Sequence, residues 1–271
     1  MPTRRTAVVL GLGLAVGVGV TGTALRATAN HGRAGPGSAA TALSAAVGDL
    51  PRPKRPAFVI GTPVRLPQGE NAVRFAPVTQ TVVARRRPSA DARPVASLAL
   101  ETPEATTNLV LVLGEAIRPD GEWVHVRLPV LPNNQTAWVS RRALGGYHFL
   151  HTRLVVERER LKATLFDNGR PIFSAPIGIG RSESPTPAGE FYIRDKVSGF
   201  GNPFYGPIAY GTSARSAVLT DWPGGGFVGI HGTNEPDLIP GRISHGCIRM
   251  RNPDILRLSR LMPVGTPITI E

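Results

Sequence analysis

From about Phe58 onward the chain is a succession of short β-like runs stopped by turn residues, and one window alone carries convincing helical spacing. Thr79–Val83 and Leu109–Leu113 are apolar or β-branched runs, Trp123–Leu128 alternates with period two, and Ala137–Ser140 follows a Pro132-Asn133-Asn134 turn. Farther on, Leu154–Val156 and Ala163–Phe166 are strand-like, and Asp167-Asn168-Gly169 has the chemistry of a hairpin turn returning through Pro171-Ile172-Phe173. Ile177–Gly180 leads into a loop stiffened by Pro185 and Pro187, after which Phe191–Ile193 starts another strand. Gly224–Gly226 precedes Phe227–Ile230, a buried-strand candidate that ends at His231. The helical window begins at Asn252, a good N-cap, with Pro253 and Asp254 suited to a first turn. Ile255, Leu258 and Leu261 then share a face, and Pro263 and Gly265 stop the helix before a last strand in V-G-T-P-I-T-I. The pattern predicts a mainly β chain: a small β-barrel domain over 57–146, then a β domain over 147–271 with one packed helix.

The amino-terminal part reads differently. Arg4 and Arg5 precede an uncharged stretch, Thr6–Leu25, long enough to cross a bilayer core as a helix. Ala27-Thr28-Ala29 then offers a small-x-small cleavage site, so residues 1–29 are expected to be a signal peptide or a membrane anchor. Either way the remainder is expected to be exported to the cell envelope, held at the membrane by this segment if it stays uncleaved. Residues 30–56, rich in Gly, Ala and Pro, are expected to form a flexible linker because they bury too little apolar area to offset ordering. The net charge of +12 is uneven: residues 1–150 hold 17 basic against 8 acidic side chains, residues 151–271 hold 14 against 11. No zinc-finger spacing or aromatic-rich basic motif accompanies the excess, so a nucleic-acid partner is not expected.

The chain has one cysteine, Cys247, in the stretch I-H-G-T-N-E-P-D-L-I-P-G-R-I-S-H-G-C-I-R-M from Ile230 to Met250. A lone cysteine cannot form an intrachain disulfide, and outside the cytoplasm an unpaired thiol invites a chemical explanation. It can be a nucleophile, a redox thiol, a metal ligand or a buried small hydrophobe. A zinc site from His231, His245 and Cys247 matches no common spacing and lacks an evident fourth ligand. A redox thiol has no resolving partner. The polar company of Ser244, His245 and Gly246 favours a nucleophile, which needs a base such as His231. Gly246 leaves room for backbone N–H groups to approach an oxyanion, and Ser244 and Arg249 offer further polar contacts.

H-G-T from His231, S-H-G-C-I-R from Ser244 and the earlier S-P-T-P-A-G-E-F from Ser184 together resemble the YkuD-type L,D-transpeptidase catalytic domain, over about Phe149 to Glu271. The resemblance implies a β-sandwich domain with one packed helix, acting outside the cytoplasm on peptidoglycan stem peptides through a cysteine thioester. No metal or organic cofactor is implied, and a carbapenem-like β-lactam is an expected inhibitor. On this resemblance Cys247 is the nucleophile, His231 the base, and the backbone of His245, Gly246 and Cys247 the oxyanion donors. Ser244 and Gly232 shape the site, with Arg249 and Tyr210 as candidate substrate contacts. Many members carry Asn at the position of Arg249, and some carry Ser where Gly232 stands. Separately, G-E-W-V-H-V followed by A-W-V-S-R-R-A-L resembles the end of a bacterial Src-homology-3-like domain.

Overall fold

The computed structural model describes residues 72–198, 201–219 and 226–271. The export segment, the linker and Gly224-Gly225 of the sequence reading lie outside these residues. Among the described residues no helix is long and apolar enough to cross a membrane.

The first sheet is built from β1 (Val73–Pro77), β2 (Val82–Arg85), β3 (Pro94–Leu98), β4 (Leu109–Arg118), β5 (Gly121–Arg127), β6 (Thr136–Ser140) and β7 (His148–Leu150). Its order is β3-β2-β6-β5-β4-β1-β7, antiparallel throughout. The alternation in Trp123–Arg127 places Val124 and Val126 inward, where they meet Val110, Val139, Ala76 and Leu128 in the sheet's own core. A closed barrel is the expectation here. Among the described residues no ladder joins β3 to β7, so the sheet keeps two edges. Strand β7 also corrects the boundary read from sequence: residues 148–150 pair with β1 and belong to this sheet.

The second sheet holds β8 (Thr152–Glu157), β9 (Lys162–Asp167), β10 (Arg170–Pro176), β11 (Gly178–Gly180), β12 (Gly189–Ser198), β13 (Ile208–Arg215), β14 (Phe227–His231), β15 (Gly241–Ser244), β16 (Ile248–Arg249) and β17 (Pro267–Ile270). Their order is β10-β9-β8-β17-β12-β13-β14-β16-β11-β15. The β9–β10 hairpin turns on Asn168 and Gly169, both at positive φ (49° and 76°), the geometry that Asn-Gly favours between two strands. Strand β12 gives the sheet its bend. Gly189–Tyr192 pairs with β17, whereas Ile193–Ser198 pairs with β13, with a register shift between Ile193 and Asp195. A strand that changes partner at an irregularity folds one sheet into two layers. The layers enclose a single core containing Leu154, Leu165, Phe191, Ile193, Ile230 and Ile248.

The helix α1 (Asn252–Leu261) closes this core. Ile255, Leu258 and Met262 are its buried contacts, and burying each such side chain is worth about 1.5–3 kcal/mol. Leu261, expected on that face, is exposed, because the chain leaves the helix at Met262 and sends that side chain inward instead. Asn252 is not the cap either. Arg251 occupies the N-cap without a side-chain cap bond, while Asn252 Oδ1 accepts the Thr233 N–H at 2.9 Å. The helix start is thereby tied to the loop that follows His231.

The two sheets pack on one another through Leu109, Leu111 and the fully buried Tyr192, whose hydroxyl donates to the Leu109 carbonyl at 3.1 Å. The turn after β5 reaches across as well: Asn134 Oδ1 accepts the Glu190 N–H at 2.7 Å, and Asn133 bonds both backbone groups of Arg215.

Candidate active site

Strands β14 and β16 lie parallel, with His231 paired to Arg249 and Ile230 to Ile248. Side chains alternate along a strand, so Cys247 and Arg249 share one face and Ile248 and Met250 the other. The second pair is buried in the core, while the first lines a pocket with His231, Ser244 and His245. The apolar half of the same short sequence therefore anchors the strand, and the polar half faces the pocket.

The turn that presents Cys247 is held by side chains. Ser244 Oγ donates to the Cys247 carbonyl at 2.5 Å and accepts the Gly246 N–H at 3.1 Å. Gly246 sits at φ 118°, a conformation that side-chain-bearing residues rarely adopt. Its carbonyl accepts the Thr186 hydroxyl at 2.8 Å, and Thr186 Oγ1 in turn accepts the Gly180 N–H at 2.9 Å. The Pro185-Thr186-Pro187 loop thus braces the cysteine turn, a role for Thr186 that the sequence reading did not assign. Of the backbone donors expected for an oxyanion, the Gly246 N–H is engaged within the turn by Ser244.

Cys247 is half-buried. Its Sγ accepts the Gly229 N–H at 3.4 Å. A methyl group on Gly229 would stand 3.8 Å from both Sγ and the Cδ2 edge of His231, so thiol and imidazole both border this glycine. Gly229 is a second residue the sequence reading passed over; the signal available was a glycine inside a buried strand, which marks a close approach.

His231 is buried, and its Nδ1 lies 2.6 Å from the Gly232 carbonyl. A carbonyl oxygen can only accept, so Nδ1 carries the proton and the neutral ring keeps its lone pair on Nε2. Burial depresses the imidazole pKa to about 4; the bond to Gly232 opposes this, and the positive charge of Arg249 adds to it. The thiol of Cys247 is pushed upward by burial, against the pull of the Gly229 N–H and Arg249. At neutral pH the resting pair is therefore a neutral thiol beside a neutral imidazole, rather than a thiolate–imidazolium ion pair.

Arg249 is 4% exposed and donates from Nη1 to Glu235 Oε2 at 2.9 Å. Its guanidinium carbon lies 4.3 Å from the Phe204 ring centroid. Tyr205 meets the His231 ring edge-on at 5.1 Å, and the short 3-10 turn Pro203–Tyr205 thus walls the pocket with two aromatics. Neither aromatic nor Glu235 was singled out from sequence. Gly232 has no room for a side chain: an added Cβ would fall 2.3 Å from Asn252 Oδ1.

The candidate residues Cys247, His231, Arg249, Ser244 and His245 come together around the pocket, with Gly246 and Gly232 in the backbone behind them. Tyr210 does not join them. Its ring is fully buried in the core, and its hydroxyl donates to the Met262 carbonyl at 3.0 Å, on the side of the sheet that α1 covers. Among the described residues no three His, Cys, Asp or Glu side chains are grouped to hold a metal ion.

Residues 151–270 match the family model of the YkuD L,D-transpeptidase catalytic domain. YkuD of Bacillus subtilis (strain 168) is 39% identical over 108 residues, which are 40% of this chain and 58% of that protein. YqjB of the same organism is 32% identical over 126 residues, covering 43% of this chain and 69% of that protein. Both relatives are provisionally named L,D-transpeptidases. The chain thus spans less than two thirds of the length of the first of them. A solved catalytic domain of an E. faecium L,D-transpeptidase is 25% identical, over 44% of this chain and 96% of that chain, with a TM-score of 0.33. With a bound-in cysteine turn, a tautomer-fixed histidine and this family match over one and the same region, the chain belongs to the L,D-transpeptidase family.

Proposed function

We propose that the chain is an extracytoplasmic peptidoglycan L,D-transpeptidase that works through a thioester on Cys247. The observation that carries this reading is the tautomer of His231. With Nδ1 committed to the Gly232 carbonyl, Nε2 is the only ring nitrogen able to take a proton, in the pocket that also holds the chain's single thiol.

In the first step the proton of the Cys247 thiol passes to Nε2 of His231 as sulfur attacks the carbonyl of the L-centre at stem position three. The bond to the terminal D-alanine breaks, and the imidazolium protonates the leaving amine. In the second step an acceptor amine, from a neighbouring stem or a protein, attacks the thioester, gives its proton to His231 and releases the thiol. An imidazole with a pKa near 4 is a weak base at rest. The developing charge on the attacked carbonyl and entry of the substrate into the pocket make the transfer favourable, so deprotonation and attack go together. Arg249, clamped by Glu235 and Phe204, supplies positive charge beside the developing anion.

Intact-protein mass spectrometry after exposure to a carbapenem tests the nucleophile: a single adduct is expected on the parent and none on Cys247→Ala. Incubation with a tetrapeptide-stem muropeptide tests the reaction. Dimer or exchange product is expected, whereas tripeptide alone would make the protein an L,D-carboxypeptidase, and wall binding without any acyl-enzyme would make it a non-catalytic wall-binding protein. His231→Ala is expected to slow acylation by about 10²-fold or more, and near-normal turnover would remove His231 as the base.

A further inference from the structure

Phe227 forms part of the wall of the Cys247 pocket, and two arginines lie over its ring. Arg194 of β12 places its guanidinium carbon 3.9 Å from the ring centroid, and Arg215 at the end of β13 places its own at 4.6 Å. The negative faces of an aromatic ring attract cations, but two cations on one ring also repel each other and need to be held there.

Each arginine is held by the first sheet. Arg194 is 3% exposed, and its Nη2 lies 3.8 Å from Glu104 Oε2, a carboxylate carried on the turn between β3 and β4. Arg215 is gripped through its backbone: Asn133 Nδ2 donates to its carbonyl at 2.7 Å, and its N–H donates to Asn133 Oδ1 at 2.9 Å. Two separate turns of the first sheet thus converge, by different chemistry, on the two arginines that lie over one pocket residue. Two residues along the same strand, the Gly229 N–H meets Cys247 Sγ.

We propose that Glu104 and Asn133 are positioning residues, which set Phe227 and the start of β14 against the cysteine and so make the first sheet part of the substrate pocket. The groups around Arg194 fit this role. Asp195 is buried beside it, with its Oδ1 accepting the Gly211 N–H at 2.9 Å and its carboxyl also facing Glu104 and Arg194. Lys196 donates to the Ser259 carbonyl, and His148 stacks on Phe75. Glu104 is the carboxylate that forms an ion pair with Arg194.

The proposal rests on the reading of Cys247 as the transpeptidase nucleophile only for its kinetic test. In the full chain, Glu104→Ala and Asn133→Ala are compared with Glu101→Gln, which changes an exposed carboxylate on the same connection between β3 and β4. Glu104→Gln and Asn133→Ala keep the test open should Glu104→Ala fail to fold. Hydrogen exchange over residues 226–231 is expected to quicken about tenfold in Glu104→Ala and Asn133→Ala, with Glu104→Gln between them and the parent, and Glu101→Gln unchanged. Carbapenem acylation is expected to slow about tenfold in the same two variants, while alkylation by iodoacetamide, which needs only the thiol, stays within about twofold. In a Phe227→Leu background neither substitution is expected to add to the loss. Unchanged exchange in both variants, or an undiminished further loss on top of Phe227→Leu, would overturn the proposal. A parent inert to carbapenem would instead dismiss the reading of Cys247 as the transpeptidase nucleophile and leave the exchange comparison to decide the positioning.

Discussion

Replacing His231 by glutamine should change how the chain responds to acid, and the size of the change follows from the burial of the ring. An unfolded histidine titrates near 6.5, whereas the folded His231 is held at about 4. Between these values the unfolded chain binds more protons than the folded one, so this group's contribution to stability is complete above about pH 6.5 and is lost as pH falls towards 4. At about 1.4 kcal/mol for each pH unit, the loss is roughly 3 kcal/mol. Asp195 acts in the opposite sense over much of the same range. Burial, with Glu104 second, holds its carboxyl up at about 6, so the stability it confers is complete below about pH 4 and is lost as pH rises through 6. The parent's own pH curve therefore mixes two opposed contributions, and only its difference from His231→Gln isolates the histidine. Urea unfolding at pH 7, 6, 5 and 4, followed by the fluorescence of Trp123 and Trp138, is the assay. The parent should lose about 3 kcal/mol relative to the variant between pH 7 and 4. The same ionisation should set the acid limb of carbapenem acylation near pH 4. A stability difference that stays flat across the range, or an acid limb at the ordinary histidine value, would refute a desolvated, Nε2-basic imidazole.

Three further outcomes are expected. Thr186→Val strands the Gly246 carbonyl and the Gly180 N–H, both in buried surroundings; a loss on the order of 2–4 kcal/mol in urea unfolding is expected, together with slower acylation. Gly229→Ala meets only ordinary contacts, 3.4 Å to the Tyr210 carbonyl and 3.8 Å to Sγ and His231. Its melting temperature should change little while acylation drops about tenfold or more, because the methyl occupies the space beside both reacting groups; unchanged acylation would place the reacting geometry elsewhere. Tyr192→Phe removes the hydroxyl that bonds the Leu109 carbonyl between the two sheets and should cost about 1–3 kcal/mol in chemical unfolding.

What the sequence made legible was local. The Asn168-Gly169 turn, the alternation through Trp123–Arg127, the helix over Asn252–Leu261 and the S-H-G-C turn all depend on neighbours within a few residues. What it left illegible depends on pairings across long separations. Asn252 has the chemistry of a cap, but its oxygen is taken by the Thr233 N–H, a partner 19 residues away that only the packed helix brings near. Tyr210 sits on a strand beside the site, yet which face it shows is set by the register of β13 against β14, and that register sends it to the core. Arg249 finds Glu235 and Phe204 only because β16 lies parallel to β14. Thr186 acts through hydroxyl bonds to the distant backbone of Gly180 and Gly246, which no local pattern announces, whereas Gly229 left a signal as a glycine inside a buried strand.

The change of partner within β12 has a consequence for insertions. Its first residues are locked to β17 and its last to β13, so neither half can slide to absorb an extra residue. One residue added at 194 would turn Asp195 to Ser198 over to the opposite face, and would carry the Asp195 carboxylate away from the Gly211 N–H it now accepts. The exposed tip at Ser182-Glu183, beyond the bond of the Arg181 N–H to the Ser244 carbonyl, is claimed by no strand. Length variation in this chain should therefore be borne by that loop and refused at the bend, though both lie within the same stretch of sequence leading to the pocket.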